Sequence, residues 1–202
     1  MKELSISGVL LAGGKSRRMG KDKRHLTLEG KTLFDRSLEV LLEIFQEVIV
    51  VLGQDDFSVQ YHDVRIVYDV IPNRAAAGGL YTGLQYALNP KVFVVACDMP
   101  FLNAQVIRYM ASISNDSDIT LAELAHGPQT MHALYSKRCL PLLEGMVKSE
   151  NLRLQDLLES PNLTIQKVPE CEIIPFDKHC LSFMNVNSPS DFEMARKIFN
   201  TP

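Results

Sequence analysis

The sequence has few of the features that bind nucleic acids or cross membranes. It contains no tryptophan, only 7% aromatic residues and a net charge of −3, so it lacks both the stacking side chains and the broad basic face of nucleic-acid-binding proteins. No apolar run is long enough to span a membrane. Residues 1–7 contain no long apolar core, so we expect no signal peptide. These absences argue against nucleic acid or a membrane as a partner.

Cysteine is scarce and irregularly spaced. The four cysteines, at positions 97, 139, 171 and 180, match neither a zinc site nor a redox pair, and the five histidines show no spacing of metal ligands. Thiols without such a pattern are typical of proteins in a reducing compartment. We therefore expect a soluble cytoplasmic protein.

The sequence does contain the alternating pattern of an α/β protein. Its 202 residues suit one domain with a sizeable core, and short apolar runs alternate with amphipathic stretches as in parallel β-α-β units. The predicted strands are 6–13, 47–53, 64–69, 91–100, 118–124, 130–136 and 180–186, and the predicted helices are 33–45 after a Thr32 cap, 78–88, 103–113, 140–147, 152–158 and one from Ser188. We predict one domain over residues 1–202, a Rossmann-like three-layer sandwich around a mostly parallel sheet.

Positive charge is concentrated in one glycine-rich turn. The stretch LLAGGKSRRMGKDK (residues 10–23) and the following arginine hold six basic side chains and one acidic one, a net +5 that leaves −8 for the rest. Its adjacent glycines leave backbone N–H groups uncovered, so a polyphosphate can approach closely. Arg17 or Arg18 is a candidate to donate two parallel hydrogen bonds to phosphate oxygens. Lys15 and Lys23 are candidates to act as mobile point charges. The glycine spacing matches neither a P-loop nor a G-x-G-x-x-G loop.

Two aspartates lie at the carboxyl ends of other predicted strands. Asp69 is the last residue of the third predicted strand, and Asp98 lies near the end of the fourth. Ligands of open parallel sheets bind beyond the carboxyl ends of the strands, so the basic turn and both aspartates are expected at one edge. From the residues alone, Asp98 fits a metal ligand or a helix cap, and Asp69 fits a ligand contact or a turn residue.

The basic turn resembles the signature L-A-G-G-x-S-x-R-M-G-x-D-K of the MobA-type nucleotidyltransferases, the molybdenum cofactor guanylyltransferases. VVACDMPFL, GGLYTGL and FMNVNSPSDF are similar to further segments of that family, so the resemblance extends over the whole chain. It implies the nucleotidyltransferase type of fold. It also implies transfer of GMP from GTP to the terminal phosphate of molybdopterin with release of pyrophosphate, and a Mg²⁺ cofactor. Relatives that transfer cytidylate usually carry L-A-A-G instead, which favours guanine.

The resemblance also implies roles for particular residues. Residues 1–100 would bind GTP and residues 101–202 the acceptor. The implied catalytic residues are Arg18, Lys23 and Asp98, with Asp98 also the metal ligand; the implied nucleotide-binding residues are Leu11, Ala12, Gly13, Gly14, Lys23, Asp69 and Asp98; and Asn185 and Asn187 would bind molybdopterin. These two asparagines are one strand repeat apart and are expected on one face. The implied protein partners are those of molybdenum cofactor biosynthesis or molybdoenzyme chaperones, whereas His132 is expected to be structural.

Three positions depart from the family pattern. Ala75–Ala77 replaces Gly-Pro-Leu before the paired glycines, Val51 replaces an asparagine that some members carry, and Thr130 replaces a proline. Two alternatives therefore stay open. One is a related nucleotidyltransferase that uses CTP, or that acts on a sugar phosphate or a methylerythritol phosphate. The other is a non-catalytic nucleotide-binding or scaffold protein.

Overall fold

The apolar runs along the chain form one seven-stranded sheet, and a separate two-stranded hairpin precedes the first helix. The computed structural model describes residues 5–13, 26–54, 63–114 and 116–200. The strands of the main sheet are β1 (Ile6–Leu11), β4 (Val48–Leu52), β5 (Arg65–Tyr68), β6 (Lys91–Ala96), β7 (Ile119–Leu124), β8 (Gly127–Ser136) and β9 (Ile165–Pro169), and the hairpin consists of β2 (Thr27–Leu28) and β3 (Lys31–Thr32).

The main sheet is mostly parallel, as the sequence predicts. Its strand order is β5-β4-β1-β6-β8-β7-β9. Only β8 runs antiparallel to its two neighbours, β6 and β7, while the other pairs of adjacent strands are parallel. Every residue of the interior strand β1 is buried, which explains its continuous apolar run, since strands covered on both faces need no polar alternation.

Helices cover both faces of the sheet and complete the three layers. They are α1 (Leu33–Ile44), α2 (Ala75–Tyr86), α3 (Ala104–Ile113), α4 (Leu140–Lys148), α5 (Glu170–Ile173) and α6 (Pro189–Phe199), and short 3₁₀ turns occur at Lys137–Cys139, Leu154–Glu159 and Leu181–Phe183. On one face Leu10 of β1 packs with the apolar sides of α1 and α3. On the other face Val9 packs with those of α2 and α4. In the described part of the chain, no helix is long and apolar enough to cross a membrane.

Two predicted helix starts are confirmed by their caps. The side chain of Thr32 accepts a hydrogen bond from the backbone N–H of Asp35 at the start of α1. Ser188 forms a reciprocal capping box with Asp191 at the start of α6. Each cap satisfies backbone donors that the first turn of a helix leaves without a partner.

α2 packs closely against the sheet at Gly83. A Cβ atom at Gly83 would come within 2.7 Å of the Cγ1 atom of Val9 in β1, a distance at which one of the two chains would have to move. Glycine at this position therefore permits the close approach of α2 to the sheet. This approach brings Thr82 of α2 against the residues that follow β5, Asp69 and Val70.

Some predicted elements were wrong. α2 begins at Ala75 rather than residue 78, because the alanines at positions 76 and 77 are strong helix formers and continue the helix toward its N-terminus. Residues 180–186 are not a strand: Cys180 has a left-handed backbone conformation with φ of 51°, and a 3₁₀ turn follows it. The predicted helix at 152–158 is also a 3₁₀ turn. β9 was not predicted, because its sequence IQKVP shows no regular alternation.

Candidate functional site

The carboxyl ends of four parallel strands meet at one edge of the sheet. Three backbone hydrogen bonds continue the ladder past the strand ends: Ala12 N–H to the Val51 carbonyl (2.9 Å), Cys97 N–H to the Leu11 carbonyl (3.1 Å) and Asp69 N–H to the Leu52 carbonyl (2.8 Å). These bonds hold the segments that follow β1, β5 and β6 side by side. The convergence predicted from the strand ends is therefore present for the described residues.

The turn after β1 starts with a glycine that its surroundings require. A Cβ atom at Gly13 would lie 2.9 Å from the backbone nitrogen of Gly53, directly after β4, so a larger residue would push the two segments apart. Val51 contributes only its backbone here, since its side chain is buried in the core. The predicted phosphate-binding residues further along the sequence lie outside the described residues: Gly14, Lys15, Arg17, Arg18 and Lys23.

Asp69 is held by a hydroxyl from α2. Its Oδ1 atom accepts a hydrogen bond of 2.8 Å from the Oγ1 of Thr82, and Thr82 is fully buried. Burial raises the pKa of Asp69, while the Thr82 hydroxyl and the backbone N–H of Ile71 act in the opposite direction. The side chain of Gln54 donates to the Asp69 carbonyl at 3.1 Å. Asp69 is thus a fixed, half-buried carboxylate and not a solvated turn residue.

Asp98 lies where the two halves of the chain meet. It follows β6, is half-buried, and its carbonyl accepts a hydrogen bond of 2.8 Å from the backbone N–H of Val186. The alternative role of helix cap is excluded for Asp98, because α3 is capped by the side chain of Asn103, which accepts from the N–H of Gln105 at 2.8 Å. The position of Asp98 therefore needs an explanation other than helix capping.

The two predicted acceptor residues flank Val186 and so lie beside Asp98. Asn185 is half-buried and donates to the carbonyl of Phe183 at 3.3 Å. Asn187 is exposed, and its backbone N–H donates to the Asp191 carboxylate at 2.9 Å. Because the segment is not a strand, the predicted strand face is not what places the asparagines. The hydrogen bond from Val186 places them at this edge instead.

The Asp98 carboxylate at this edge suits a divalent cation that arrives with a phosphorylated substrate. Among the described residues, no group of three or more His, Cys, Asp or Glu side chains is arranged to hold a metal ion. Mg²⁺ commonly binds through one or two carboxylates and keeps its other positions for substrate phosphates and water. A single carboxylate at a strand end, as at Asp98, fits that mode.

His132 is a core residue, in keeping with its expected structural role. It is fully buried on β8 between two aromatic rings, with centroid distances of 5.2 Å to Phe93 and 4.5 Å to Phe183. Burial lowers the pKa of His132 to about 3, which the negative charge of Asp177 partly opposes. The ring is therefore neutral and lies away from solvent.

Sequence reasoning missed a bulge in β8 beside the site. Leu121 of β7 pairs with Ala133 and Glu123 pairs with Pro128, so β8 has three more residues than β7 over this interval. The carbonyl of Thr130, inside the bulge, accepts a hydrogen bond of 2.7 Å from the buried Tyr135 hydroxyl. Bulges often occur next to active sites, where they redirect side chains. The polar run that interrupts this strand was the available signal.

Sequence reasoning also missed an arginine side chain that links the start of α2 to α4. The side chain of Arg74 donates through Nε to the Val147 carbonyl at 2.7 Å and forms an ion pair of 3.0 Å with Glu150. It thereby joins the turn before α2 to the end of α4. The residues on either side, Asn73 and Ala75, have φ values of 63° and 47°, a conformation that costs non-glycine residues energy.

The fold and this edge define a class of protein. A mostly parallel sheet with a glycine-rich sequence after β1, and with aspartates after β5 and β6, has the architecture of a nucleotidyltransferase. The model of the MobA-like NTP transferase domain matches residues 8–165, more than three quarters of the chain. The chain therefore belongs to the MobA-like NTP transferase family, and it is a nucleotidyltransferase enzyme.

Individual relatives support this assignment over nearly the whole chain. A probable molybdenum cofactor guanylyltransferase of Pelotomaculum thermopropionicum is 34% identical, over 96% of this chain and 93% of that protein. The corresponding protein of Natranaerobius thermophilus is 32% identical over 96% of both chains. The crystal structure of molybdopterin-guanine dinucleotide biosynthesis protein A from Archaeoglobus fulgidus shares the fold, with a TM-score of 0.84, 24% identity, and coverage of 96% of this chain and 98% of that one. The family and fold predicted from the sequence are thus confirmed.

Proposed function

We propose that this enzyme transfers GMP from GTP to the terminal phosphate of molybdenum-molybdopterin, forming molybdopterin guanine dinucleotide and pyrophosphate. The observation that carries the proposal is the hydrogen bond from Val186 N–H to the Asp98 carbonyl. It joins the segment with the candidate acceptor residues to the strand end with the candidate metal carboxylate. The names of the relatives, molybdenum cofactor guanylyltransferase, agree with this donor and acceptor.

The two substrates would bind to different halves of the sheet. Residues 1–100 contain β1, β4, β5 and β6, and we assign GTP to their carboxyl ends. Residues 101–202 contain β7, β8 and β9, and we assign the acceptor to them. The halves adjoin where β6 pairs with β8, so the two reacting groups would meet near Asp98.

GTP would be recognised by backbone and carboxylate groups together. Four residues at the end of β1 would form a wall around the base and ribose: Leu11, Ala12, Gly13 and Gly14. The carboxylate of Asp69 would accept hydrogen bonds from guanine or ribose, because its position is already fixed by Thr82. A carboxylate that is fixed before binding loses little entropy when the nucleotide arrives.

The chemical step needs alignment and charge neutralisation. An oxygen of the acceptor phosphate attacks the α-phosphorus of GTP in line, and the bond to pyrophosphate breaks. Arg18 and Lys23 would stabilise the negative charge that develops on the triphosphate. Asp98 would hold Mg²⁺, which supplies charge neutralisation at the α-phosphate and the leaving group.

The acceptor would be held by Asn185 and Asn187, whose amides can both donate and accept hydrogen bonds with a pterin. The enzyme would receive molybdopterin from proteins of molybdenum cofactor biosynthesis and pass its product to molybdoenzyme chaperones. We propose that this occurs in the cytoplasm. In support, all four cysteines lie in the described ranges and none forms a disulfide.

The proposal is tested by pyrophosphate release with each of the four nucleoside triphosphates, in the presence of Mg²⁺ and molybdopterin cofactor. Wild type is compared with Asp98→Asn and with the control Asp116→Asn, which changes an exposed aspartate. We expect GTP-dependent release that falls at least 10²-fold in Asp98→Asn and is unchanged in Asp116→Asn. Release with CTP alone would overturn the guanine assignment. GTP binding without release would overturn the acceptor, and sugar phosphates would then be tried.

A further inference from the structure

Thr82 is a polar residue at a position of α2 where an apolar one would be expected. It lies in the middle of the helix, far from either cap, and is fully buried. Its helix neighbours Leu80 and Leu84 are also fully buried and pack against the sheet. A buried hydroxyl is stable only when it is hydrogen-bonded, so the contacts of Thr82 explain its presence.

The direction of the two hydrogen bonds of Thr82 follows from the atoms involved. The backbone N–H of Val70 is a donor, so Thr82 Oγ1 accepts from it at 3.2 Å. The single hydroxyl proton of Thr82 is then available for Asp69 Oδ1 at 2.8 Å. The hydroxyl is therefore a donor to a carboxylate, and this kind of bond is stronger than one between neutral groups.

The same helix leaves space at the other carboxylate oxygen. A Cβ atom at Gly78, one turn before Thr82, would lie only 3.2 Å from Asp69 Oδ2. α2 thus occupies Oδ1 with a hydroxyl and presents no side chain to Oδ2 at residue 78. This arrangement commits Oδ1 to Thr82 and keeps Oδ2 from being crowded by the helix.

We propose that Thr82 is a positioning residue that orients the Asp69 carboxylate so that Oδ2 accepts a hydrogen bond from the nucleoside part of the substrate. The inference rests on the proposed role of Asp69 in nucleotide binding. Thr82 also favours the ionised form of Asp69, whose pKa burial raises. The ionised carboxylate is the form that accepts a hydrogen bond from the N–H or O–H groups of a nucleoside.

The test replaces the hydroxyl and keeps the shape. Thr82→Val removes both hydrogen bonds, Thr82→Ser retains the hydroxyl, and Thr120→Val is the matched control. Thr120 is also a fully buried threonine, and its hydroxyl is hydrogen-bonded to Ser117 at 2.6 Å on the other half of the sheet. Dissociation constants are measured with all four nucleoside triphosphates, and the nucleotide that wild type binds most tightly is used as the probe. KM and kcat are measured with the same nucleotide.

We expect Thr82→Val to raise the dissociation constant and KM for the nucleotide about tenfold, as for the loss of one hydrogen bond to a charged group, with kcat within about twofold. Thr82→Ser and Thr120→Val should remain within about threefold of wild type. The inference would be overturned if Thr82→Val bound the nucleotide as tightly as wild type does. It would also be overturned if Thr82→Ser and Thr120→Val lost as much nucleotide affinity as Thr82→Val. Either result would leave the proposed function standing. Failure of wild type to bind any nucleotide would overturn both.

A double-mutant cycle separates positioning from a general effect on folding. If Thr82 acts through Asp69, Thr82→Val should not weaken binding further in an Asp69→Asn background. Additive losses would contradict the inference. If Thr82→Val does not fold, Thr82→Ala takes its place in the same cycle, with folding checked by the thermal midpoint Tm.

Discussion

The backbone N–H of Val186 donates a hydrogen bond of 2.8 Å to the carbonyl of Asp98, although the two residues lie far apart in the sequence. This bond fixes the segment before α6 to the end of β6. It brings Asn185 and Asn187 to the edge where β1 and β5 also end. An enzyme that joins two substrates needs such a link, because the nucleotide and the acceptor must be held in one geometry.

The asparagines on either side of Val186 are expected to affect only the acceptor. Asn185→Ala and Asn187→Ala should each raise KM for molybdopterin about tenfold, the loss of one hydrogen bond with some unpaired polar surface, and should leave KM for GTP unchanged. Initial rates of pyrophosphate release at varied acceptor concentration measure this. Asn162→Ala, at an exposed residue, is the control. A larger change in KM for GTP than for the acceptor would contradict the assignment.

Much of the fold was predictable because it is indicated by local sequence patterns, namely apolar runs and helix caps. β1 and β4 are buried throughout, so their apolar runs were visible, and Thr32 and Ser188 form the caps that their residue types predict. The 180–186 segment was mistaken for a strand because it is apolar. The left-handed conformation of Cys180 turns the chain there, and nothing in the local pattern indicates it.

The site was predictable only in part. The positions of Asp69 and Asp98 followed from a general rule about strand ends. The contact of Thr82 with Asp69 depends on how closely α2 packs against the sheet, and that closeness depends on the glycine at position 83. Such a contact joins elements that the sequence places apart, so no local pattern could indicate it.

The turn before α2 offers a test of backbone strain. Ala75 has a φ of 47°, a left-handed conformation that glycine adopts without steric cost and other residues do not. Ala75→Gly should therefore stabilise the protein by about 0.5–1 kcal/mol, since it removes a steric cost of about 1–2 kcal/mol and adds an entropic cost of about 0.5–1 kcal/mol. Ala76→Gly, the next residue and inside the helix, should destabilise it by about 0.5–1 kcal/mol. Urea unfolding measures both, and a loss of stability in Ala75→Gly would contradict the strain argument.

The buried imidazole of His132 should make the stability depend on pH. Its folded pKa of about 3 lies below the unfolded value of about 6.5, so the unfolded chain binds a proton first as the pH falls. The contribution of neutral His132 to the free energy of unfolding is complete above about pH 6.5. It is lost as the pH falls toward 3, by up to about 1.4 kcal/mol per pH unit. His132→Leu should reduce this slope between pH 6 and pH 4 in urea titrations. His126→Leu, at an exposed histidine, is the control, and an equal slope in wild type and His132→Leu would contradict the prediction.

The bulge of β8 should depend on the hydroxyl of Tyr135. That hydroxyl is the buried donor to the Thr130 carbonyl at 2.7 Å. Its removal leaves the bulge without the side-chain hydrogen bond that holds Thr130. Tyr135→Phe should therefore lower the free energy of unfolding by about 1 kcal/mol. Because β8 pairs with β6 as far as Val95, shortly before Asp98, we also expect a higher KM for the acceptor with an unchanged KM for GTP.

A control for Tyr135→Phe is Tyr86→Phe, which removes the hydroxyl of an exposed tyrosine on α2. It should change neither the free energy of unfolding nor KM for the acceptor. The two readouts separate the roles of the bulge. A loss of stability with unchanged kinetics would mean that the Tyr135 hydroxyl only supports the fold. A raised KM for the acceptor alone would mean that the bulge shapes the acceptor site, and it would place Thr130, where the family pattern has proline, among the residues that distinguish this enzyme's acceptor.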